Sequence, residues 1–406
     1  MSILTVGAGG QFATLAAAVA ASHDGDVLQV KAGTYTNDFT NITTKITIEG
    51  IGGMVNLVAT VPPPNGKAIM TTNTDVTLKD IAFSGAAVAS GNGAGIRFQG
   101  GNLTIVDCYF HNNQEGLLAG AYPTGNITIT NSEFAYNGTG TGYTHNLYVG
   151  DINTLTITGS YFHNAVVGHE IKSLAQNTII ENNRIADGAT GNASYAIDLP
   201  AGGRVVIANN IIEKGPHAQN PNFIHMGSSA YPGSSLLIAN NTFISDTGRS
   251  STTLLYNATT VTAQVTNNQI YHVPHIASGP ATVSGTVVLS TEPTISTAHP
   301  YLVPPAPTAG ATVAVSNTVS KSSPQFIASP GGQAPAASVG PPVPASGVDF
   351  VRDGYGGTGA LASTAYGTGI GGAGGMVLPQ PSSVAAYAAA PDIKNPSVLA
   401  AVIPHS

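Results

Sequence analysis

Ionisable side chains recur at one place in successive segments of the chain between residues 117 and 255. Each segment has an apolar residue followed by one further residue, and these pairs are Leu117-Leu118, Leu147-Tyr148, Ile171-Lys172, Ile197-Asp198, Ile224-His225 and Leu254-Leu255. If the segments are parallel strands stacked about 4.8 Å apart with the apolar residue inward, the second members become neighbours on the outer face. We therefore predict an outward row of functional groups, here called the polar row, formed by Tyr148, Lys172, Asp198 and His225.

Further polar side chains stand next to the inward apolar residues. Asn146 and Glu170 precede them by one position, so strand alternation predicts the same outer face. His145, His169 and Tyr195 precede them by two positions, near the bend that opens each strand. The predicted substrate-binding residues are Asn146, Glu170, Tyr195, Arg204 (just past the Gly202-Gly203 turn) and His225.

A row of this composition suits β-elimination from a uronate-containing polysaccharide. That reaction needs a positive charge on the carboxylate, a base for the neighbouring proton and an acid for the leaving oxygen. We predict that Lys172 binds the carboxylate, because Asp198, one coil away, stabilises the ammonium form and so disfavours Lys172 as the base. Tyr148 and a histidine, either His145 or His169, are then the predicted proton carriers.

Other interpretations remain open for the same face. Hydrolysis needs two carboxylates about 5 to 9 Å apart, and Glu170 and Asp198 in adjacent coils could meet that spacing. C5-epimerisation uses almost the same acid, base and positive charge. A non-catalytic protein would hold a glycan by stacking sugar rings on Tyr148, Tyr195 and Tyr256. The row could also be purely structural. A surface ion pair contributes under about 1 kcal/mol to stability, however, which is too little to explain a whole row of ionisable groups.

The sequence predicts no cofactor and no metal. Calcium takes six to eight oxygens, usually several from carboxylates, and the acidic residues near the polar row are few and scattered, so calcium is the disfavoured alternative. Zinc held by His145 and His169 would need a third ligand, which the sequence does not offer.

The elements that must position these residues follow from a repeat. Two apolar residues five positions apart recur at 23- to 31-residue intervals, as in Ile105/Phe110, Ile129/Phe134, Ile157/Phe162, Ile180/Ile185, Ile207/Ile212, Ile238/Phe243 and Val265/Ile270. Between them stands a polar pair that is often Asn-Asn, as in Asn182-Asn183, Asn209-Asn210, Asn240-Asn241 and Asn267-Asn268. Asn tolerates the left-handed backbone of a sharp bend, so each repeat predicts a strand, a bend and a second strand.

Such repeats bury their apolar faces only by stacking. We therefore predict an all-β, single-stranded right-handed parallel β-helix (a solenoid), with equivalent Asn side chains hydrogen-bonded along the stack. An antiparallel sandwich would instead show hairpin turns every 8 to 12 residues and no constant offset.

The N-terminus agrees with a covered first coil. Residues 12–21 predict a short helix, and the strand segments 25–30 and 32–35 follow it. This arrangement resembles the start of proteins of the pectin-lyase-like right-handed parallel β-helix superfamily, over residues 1 to about 275. The resemblance implies the fold and a carbohydrate-active protein, but that superfamily includes lyases, hydrolases, epimerases and non-catalytic binding proteins.

One local segment is loosely similar to a narrower family. Glu170-Ile171-Lys172-Ser173, followed by the Asn182-Asn183 bend, looks like the Lys-Ser strand of the chondroitinase-B-like lyases. Those enzymes follow with an Arg-His-Gly strand, where this chain has Ala196-Ile197-Asp198. The departure leaves the activity open, and no single family is assigned.

Composition limits the partners. Charged residues make up 8% of the 406 residues and the net charge is −7, which disfavours a nucleic-acid partner. No apolar run is long enough to span a membrane, and no classical signal peptide is visible. We expect an acidic polysaccharide as the partner and an extracellular or cell-surface location reached by a non-classical route. The oligomeric state is not predicted.

Three regions are predicted from these patterns. Residues 1–35 form the N-terminal cap and first coil, and residues 36–300 form the β-helix. Residues 301–406 are rich in Pro, Gly and Ala and lack the repeat, so a low-complexity tail is expected there.

Overall fold

The computed structural model describes residues 1–227 and 231–302. Within them, almost all regular structure is β-strand, and every strand pair is parallel. The strands stack in three columns. The low-complexity tail is predicted for residues 301–406. All of it except residues 301 and 302 lies outside the described residues.

The first column runs the length of the solenoid. Its strands are β1 (Ile3–Val6), β2 (Val27–Thr36), β4 (Ile46–Val58), β6 (Val76–Lys79), β9 (Asn102–Val106), β12 (Tyr122–Thr130), β15 (Ile152–Thr158), β18 (Asn177–Glu181), β21 (Arg204–Ala208), β24 (Ser235–Ala239), β27 (Ala263–Thr266) and β30 (Ala281–Ser284).

The second column begins on the C-terminal half of β2, which pairs with the C-terminal half of β4. Its further strands are β7 (Ile81–Ser84), β10 (Tyr109–His111), β13 (Glu133–Ala135), β16 (Tyr161–His163), β19 (Arg184–Ala186), β22 (Ile211–Lys214), β25 (Thr242–Ser245), β28 (Gln269–Tyr271) and β31 (Val287–Val288).

The third column forms a separate sheet. Its strands are β3 (Thr40–Ile42), β5 (Ala68–Thr72), β8 (Ala94–Phe98), β11 (Glu115–Ala119), β14 (Leu147–Val149), β17 (Ile171–Ser173), β20 (Ile197–Leu199), β23 (Asn222–Met226), β26 (Thr253–Asn257) and β29 (His275–Ser278). Each coil therefore passes through the third, first and second columns in turn.

The five-residue offset is the bend between the first and second columns. Its leading asparagines adopt the predicted left-handed backbone, with φ of 58° at Asn182, 57° at Asn209 and 56° at Asn240. The second asparagine of each pair is buried, and Asn183 donates through its backbone N–H to Asn210 Oδ1 at 2.9 Å. Asn210 donates in the same way to Asn241 Oδ1 at 2.9 Å. The predicted asparagine ladder is confirmed.

Stacked apolar side chains fill the interior. The rings of Phe83, Phe110, Phe134 and Phe162 are all fully buried, and their successive centroids lie 4.9, 4.4 and 4.7 Å apart. Side chains one coil apart thus contact each other directly, which is the geometry on which the polar row depends.

The N-terminal helix is shorter than predicted. Helix α1 spans Leu15–Ala21, because Thr14 has an extended backbone and its hydroxyl accepts a hydrogen bond from the Ala17 N–H at 3.2 Å. Phe12, placed in the helix by the sequence prediction, instead bridges to Val6 of β1.

Regular coils end at Val288, earlier than the predicted boundary at residue 300. The following segment returns along the second column and contains a 3-10 helix, η1 (Pro300–Leu302). His299 Nδ1 lies 2.7 Å from Glu133 Oε2, and Arg184 donates to the Ala298 carbonyl at 2.6 Å. These contacts fix residues 296–301 against strands more than a hundred residues earlier in the chain.

Candidate active site on the third strand column

The polar row lies in register on the outer face of the third column. Tyr148 pairs with Lys172, Lys172 with Asp198, and Asp198 with His225. The inward residues Leu147, Ile171, Ile197 and Ile224 are all fully buried. The predicted placement of the row is therefore confirmed, while the chemical roles of its members remain predictions.

The register prediction is wrong by one residue at the last coil. Ile224 pairs with Leu255 rather than with Leu254, and His225 pairs with Tyr256. Both leucines are fully buried, so burial alone could not distinguish them. The correction extends the row by an aromatic side chain that is 39% exposed.

Asp198 is the centre of the row. Its Oδ1 lies 2.6 Å from His225 Nδ1, and its Oδ2 lies 3.3 Å from His169 Nε2 and 3.8 Å from Lys172 Nζ. Burial opposes the charge of this carboxylate, but hydrogen bonds from His169 and His225 and the Lys172 charge outweigh it and lower the pKa of Asp198 below its usual value. Asp198 is therefore ionised at neutral pH and holds three side chains in place.

His145 and His169 stack with ring centroids 4.6 Å apart. The Nδ1 of His145 accepts the His169 N–H at 2.9 Å, and the Nδ1 of His169 accepts the Tyr195 N–H at 3.2 Å. An Nδ1 that accepts cannot carry a proton, so each neutral ring carries its proton on Nε2. Burial lowers the pKa of both imidazoles, which keeps them neutral near pH 7.

The structure corrects the expectation that His145 or His169 carries protons to the substrate. The two residues are 1% and 3% exposed, and His169 Nε2 faces Asp198. Neither ring is exposed for contact with a substrate in this structure. The two histidines lie behind the polar row and pack against its side chains.

The aromatic stack continues toward the C-terminal coils. The Tyr195 ring lies 5.0 Å from that of His225, which lies 5.3 Å from Tyr256, with interplanar angles of 18° and 20°. The stack grows more exposed along this direction, from Tyr195 at 9% to Tyr256 at 39%. It ends as an aromatic surface beside Asp198.

Tyr148 lies next to Lys172 in the polar row. Lys172 Nζ is 5.4 Å from the centre of its ring, and the His145 ring is 5.8 Å away. On the other side, beyond Leu118, Arg97 occupies the outward position of β8 two coils away and interacts electrostatically with Tyr148 and Glu115. The Arg97 side chain is largely buried, and this burial lowers its pKa.

Sequence reasoning missed Arg97, although a signal was present. Ile96 pairs with Leu117 and Arg97 with Leu118, so extending the predicted register by one coil would have placed Arg97 in the row. Arg97 is also the last basic residue before the long interval that ends at Lys172.

Asn146 and Glu170 do not lie on the outer face, which corrects their predicted placement. They are 0% and 1% exposed in the corner between the second and third columns. Glu170 accepts hydrogen bonds from Asn146 Nδ2 and from the Ala165 N–H, and Asn146 Nδ2 also donates to the His163 carbonyl at 2.9 Å. Burial raises the pKa of Glu170 well above its usual value. Glu170 and Asp198 therefore do not form an accessible carboxylate pair.

Arg204 lies outside the polar row. It is the first residue of β21 in the first column, where it pairs with Asn177 and Ser235, and its side chain is exposed. Its Nη1 lies 3.5 Å from Asn177 Oδ1. Arg204 therefore does not share the outer face of the third column with the polar row. It lies past the corner between the third and first columns.

A buried ionic cluster lies behind the stack and was not predicted. Lys214 is 1% exposed and donates to the Ser194 carbonyl, next to Tyr195. Burial lowers the pKa of Lys214, and the nearby carboxylates of Asp187 and Glu170 oppose this effect. Asp187 accepts the Ala193 N–H at 3.2 Å, so the cluster holds the loop that leads into the Tyr195 ring.

No group of three or more His, Cys, Asp or Glu residues in the described part of the chain is arranged to hold a metal ion. Over the same residues, no helix is long and apolar enough to cross a membrane.

Comparisons with known proteins identify the fold. Residues 120–288 match the family described as the right-handed β-helix region. An alginate lyase from Paenibacillus sp. strain FPU-7 superposes with a TM-score of 0.53 and 18% identity, over 69% of this chain and 99% of that one. The predicted right-handed parallel β-helix is confirmed.

Two further solved structures are more distant. A pectate lyase has a TM-score of 0.45 and 16% identity, over 73% of this chain and 82% of that one. A pectin methylesterase from Aspergillus niger has a TM-score of 0.32 and 13% identity, over 73% and 91%. No curated protein matches the chain at the sequence level.

Proposed function

Because the chain has the right-handed parallel β-helix fold of the pectin-lyase-like proteins, we propose that it is a carbohydrate-active protein, and specifically a polysaccharide lyase that cleaves a uronate-containing glycan by β-elimination. The observation that carries the proposal is the placement of Lys172 between Tyr148 and the ionised Asp198 in one row. In this arrangement the Lys172 ammonium lies beside the Tyr148 ring on the outer face of the third column.

The positive charges define where the substrate carboxylate binds. Lys172 is held by Asp198 at 3.8 Å and is only partly buried. Arg97 adds a second positive charge farther along the row, two coils from Tyr148 and beyond Leu118, where its side chain is buried. Binding of the uronate carboxylate by Lys172 withdraws electrons and makes the proton on the adjacent carbon C5 easier to remove.

Tyr148 is adjacent to Lys172 in the polar row and is partly exposed to solvent. In the proposed reaction Tyr148 starts as the phenolate beside the Lys172 ammonium. Its oxygen takes the C5 proton and becomes a phenol, the bond between C4 and the glycosidic oxygen breaks, and the electrons of the C5–H bond form the C4=C5 double bond. The same proton then passes to the leaving oxygen. His145 and His169 position this group and do not touch the substrate.

Hydrolysis has less support than elimination. Two accessible carboxylates are required on either side of the scissile bond, whereas Glu170 is buried in a corner and Asp198 is engaged by three side chains. Epimerisation at C5 shares the first proton transfer, so it is distinguished only by its product.

The aromatic surface of His225 and Tyr256 favours a second candidate, a non-catalytic glycan-binding protein. Ring faces stack on sugars without needing any charge. This candidate predicts binding of neutral as well as acidic glycans and no turnover. In either case we propose a polysaccharide partner, and an extracellular or cell-surface location follows from that partner.

The deciding experiment compares Lys172→Ala with Lys67→Ala, which removes an exposed lysine just before β5. Wild type and the two variants are each incubated with alginate, polygalacturonate and glycosaminoglycans, and the ultraviolet absorbance band of the unsaturated product is followed. We expect the band with wild type and with Lys67→Ala, and a loss of at least about a hundredfold with Lys172→Ala.

Each other outcome identifies an alternative. New reducing ends without the ultraviolet band would identify a hydrolase. Proton exchange at C5 without cleavage would identify an epimerase. Saturable binding with neither signal would identify a non-catalytic binding protein and would overturn the lyase proposal.

A further inference from the structure

A cavity of about 320 Å³ lies at the corner where the third column turns into the first. Its lining residues are Gln176, Gly203, Arg204, Tyr231, Pro232, Gly233 and Ser234. Gln176 follows Lys172 by four residues, so the Cα atoms of the two are at most about 14 Å apart. The cavity therefore borders the polar row along the direction of the strands.

The segment 231–234 covers this corner by reaching back over earlier coils. The Tyr231 N–H donates to the Ala201 carbonyl at 2.9 Å, and its phenol donates to the Leu174 carbonyl at 2.9 Å, 57 residues earlier in the chain. Ser234 Oγ accepts the Gly203 N–H at 3.0 Å. These bonds tie the segment to two neighbouring coils, so the cavity is a built feature of the corner.

The chemistry of the lining suits an anionic sugar. Arg204 contributes an exposed guanidinium to the lining, and its Nη1 lies 3.5 Å from Asn177 Oδ1. A guanidinium binds a carboxylate with two parallel hydrogen bonds. Tyr231 offers a half-buried ring for a sugar face, and Gln176 supplies an amide.

One nearby carboxylate is already engaged. Asp151 accepts a hydrogen bond from Gln176 Nε2 at 3.3 Å. Burial and the neighbouring Asp151 raise the pKa of Tyr231 to about 12, so its phenol stays protonated and remains a donor. Arg204 is therefore the charged group of the lining that faces solvent.

We propose that the Arg204–Tyr231 cavity is a second sugar-binding subsite, which holds the carboxylate of a uronate residue removed from the one bound at Lys172. The inference rests on the proposed function, since it assigns the next part of the same acidic chain. A glycan bound at both places crosses the third column in the strand direction and turns the corner at Gln176.

The test measures binding without turnover, in full-length protein carrying Tyr148→Phe, which removes the proposed proton carrier and leaves Lys172 in place to bind the first uronate. Galacturonate and mannuronate oligosaccharides of two and four residues are titrated by calorimetry at low salt, where exposed charge pairs are least screened. The added variants are Arg204→Ala, Arg204→Lys and Arg249→Ala. Arg249 is an exposed arginine outside the cavity and is the matched control.

We expect Arg204→Ala to weaken binding of the tetrasaccharide about tenfold or more, the loss typical of a charge-assisted hydrogen bond. Arg204→Lys should restore part of it, and the disaccharide should be unaffected. An equal effect of Arg249→Ala, or no effect of Arg204→Ala on the tetrasaccharide, would overturn the subsite. A sulfated tetrasaccharide that binds as well as the uronate would change the assigned anion from carboxylate to sulfate and overturn the uronate assignment.

The outcome separates this inference from the proposed lyase activity. Wild-type turnover with unchanged tetrasaccharide binding in Arg204→Ala rejects the subsite alone. An Arg204-dependent tetrasaccharide affinity without turnover by the wild type rejects the lyase and retains the subsite.

Discussion

His225 Nδ1 lies 2.6 Å from Asp198 Oδ1, although 27 residues separate them in the chain. The contact exists because β20 and β23 are adjacent parallel strands in exact register at these positions. The other carboxylate oxygen faces His169 and Lys172. A single buried carboxylate thus connects three consecutive coils.

Asp198→Asn should destabilise the protein and misplace Lys172. Loss of the charge removes charge-assisted hydrogen bonds from a buried site, which costs roughly 1–3 kcal/mol in the free energy of unfolding. Because the pKa of Asp198 is lowered by folding, its contribution is complete above the ordinary carboxyl pKa of about 3.9 and declines as the pH falls below it. Urea unfolding at pH 5 and pH 3 measures both effects.

The control for this substitution is Glu292→Gln at an exposed position. It should change the free energy of unfolding by less than about 0.5 kcal/mol. If the difference between wild type and Asp198→Asn were as large at pH 3 as at pH 5, the assigned ionisation of Asp198 would be wrong.

Tyr148→Phe removes the proposed proton carrier and leaves the ring in place. We expect kcat for elimination to fall by about a hundredfold or more, because positioned acid–base groups contribute on that order. KM should change little, since the substitution leaves Lys172, the proposed carboxylate-binding group, in place. The unsaturated product is measured at several substrate concentrations to separate the two constants.

Tyr122→Phe is the matched control for the tyrosine substitution. Tyr122 is 38% exposed and lies on β12 of the first column, away from the polar row. It should retain wild-type kcat. A Tyr148→Phe protein with normal kcat would assign the proton transfers to another group.

The sequence predicted the polar row because parallel pairing fixes one register for a whole column. Once Leu147, Ile171, Ile197 and Ile224 are recognised as inward residues, the positions that follow them must be neighbours. The last coil escaped this rule, since two adjacent leucines both point into buried space and the loop before them has no fixed length.

Glu170 shows why the rest of the site was not predictable from alternation. Residues two apart share a face only within a strand, and β17 begins at Ile171, one residue after Glu170. Glu170 lies in the bend, where its carboxylate is drawn inward by backbone and amide donors. The same holds for Asn146 before β14, and loop contacts such as Lys214 to Ser194 have no periodic signal at all.

His145→Asn should flatten the dependence of stability on pH. Folding lowers the pKa of His145, so below about 6.5 the unfolded chain binds a proton that the folded protein does not. Wild type should therefore lose stability as the pH falls from 7 to 5, with up to about 1.4 kcal/mol per pH unit from this residue. Asparagine keeps an acceptor for the His169 N–H and removes the titration.

The comparison uses His217→Asn, which replaces an exposed histidine. Chemical denaturation at pH 7, 6 and 5 gives the slope for each protein. We expect the His217 variant to follow wild type and the His145 variant to be less steep. Equal slopes for all three would show that His145 is not held neutral by folding.

Adjacent asparagines in one bend should differ in how strongly the same substitution destabilises the protein. Asn209 has φ of 57°, a conformation that glycine adopts without strain, so Asn209→Gly should change the free energy of unfolding by less than about 1 kcal/mol. Asn210 is 1% exposed, and its Oδ1 accepts from both the backbone and the side chain of Asn183. Asn210→Gly leaves those buried donors unpaired and should cost about 2 kcal/mol or more.

Thermal and urea unfolding of the two glycine variants, each with wild type, provides the measurement. Since the residues are neighbours in the chain, any general effect of glycine on the unfolded state is shared and cancels in the comparison. A difference below about 0.5 kcal/mol between the variants would mean that the asparagine ladder does not stabilise the coils. A large difference would show that the second position of each Asn-Asn pair holds the stack, while the first only turns the chain.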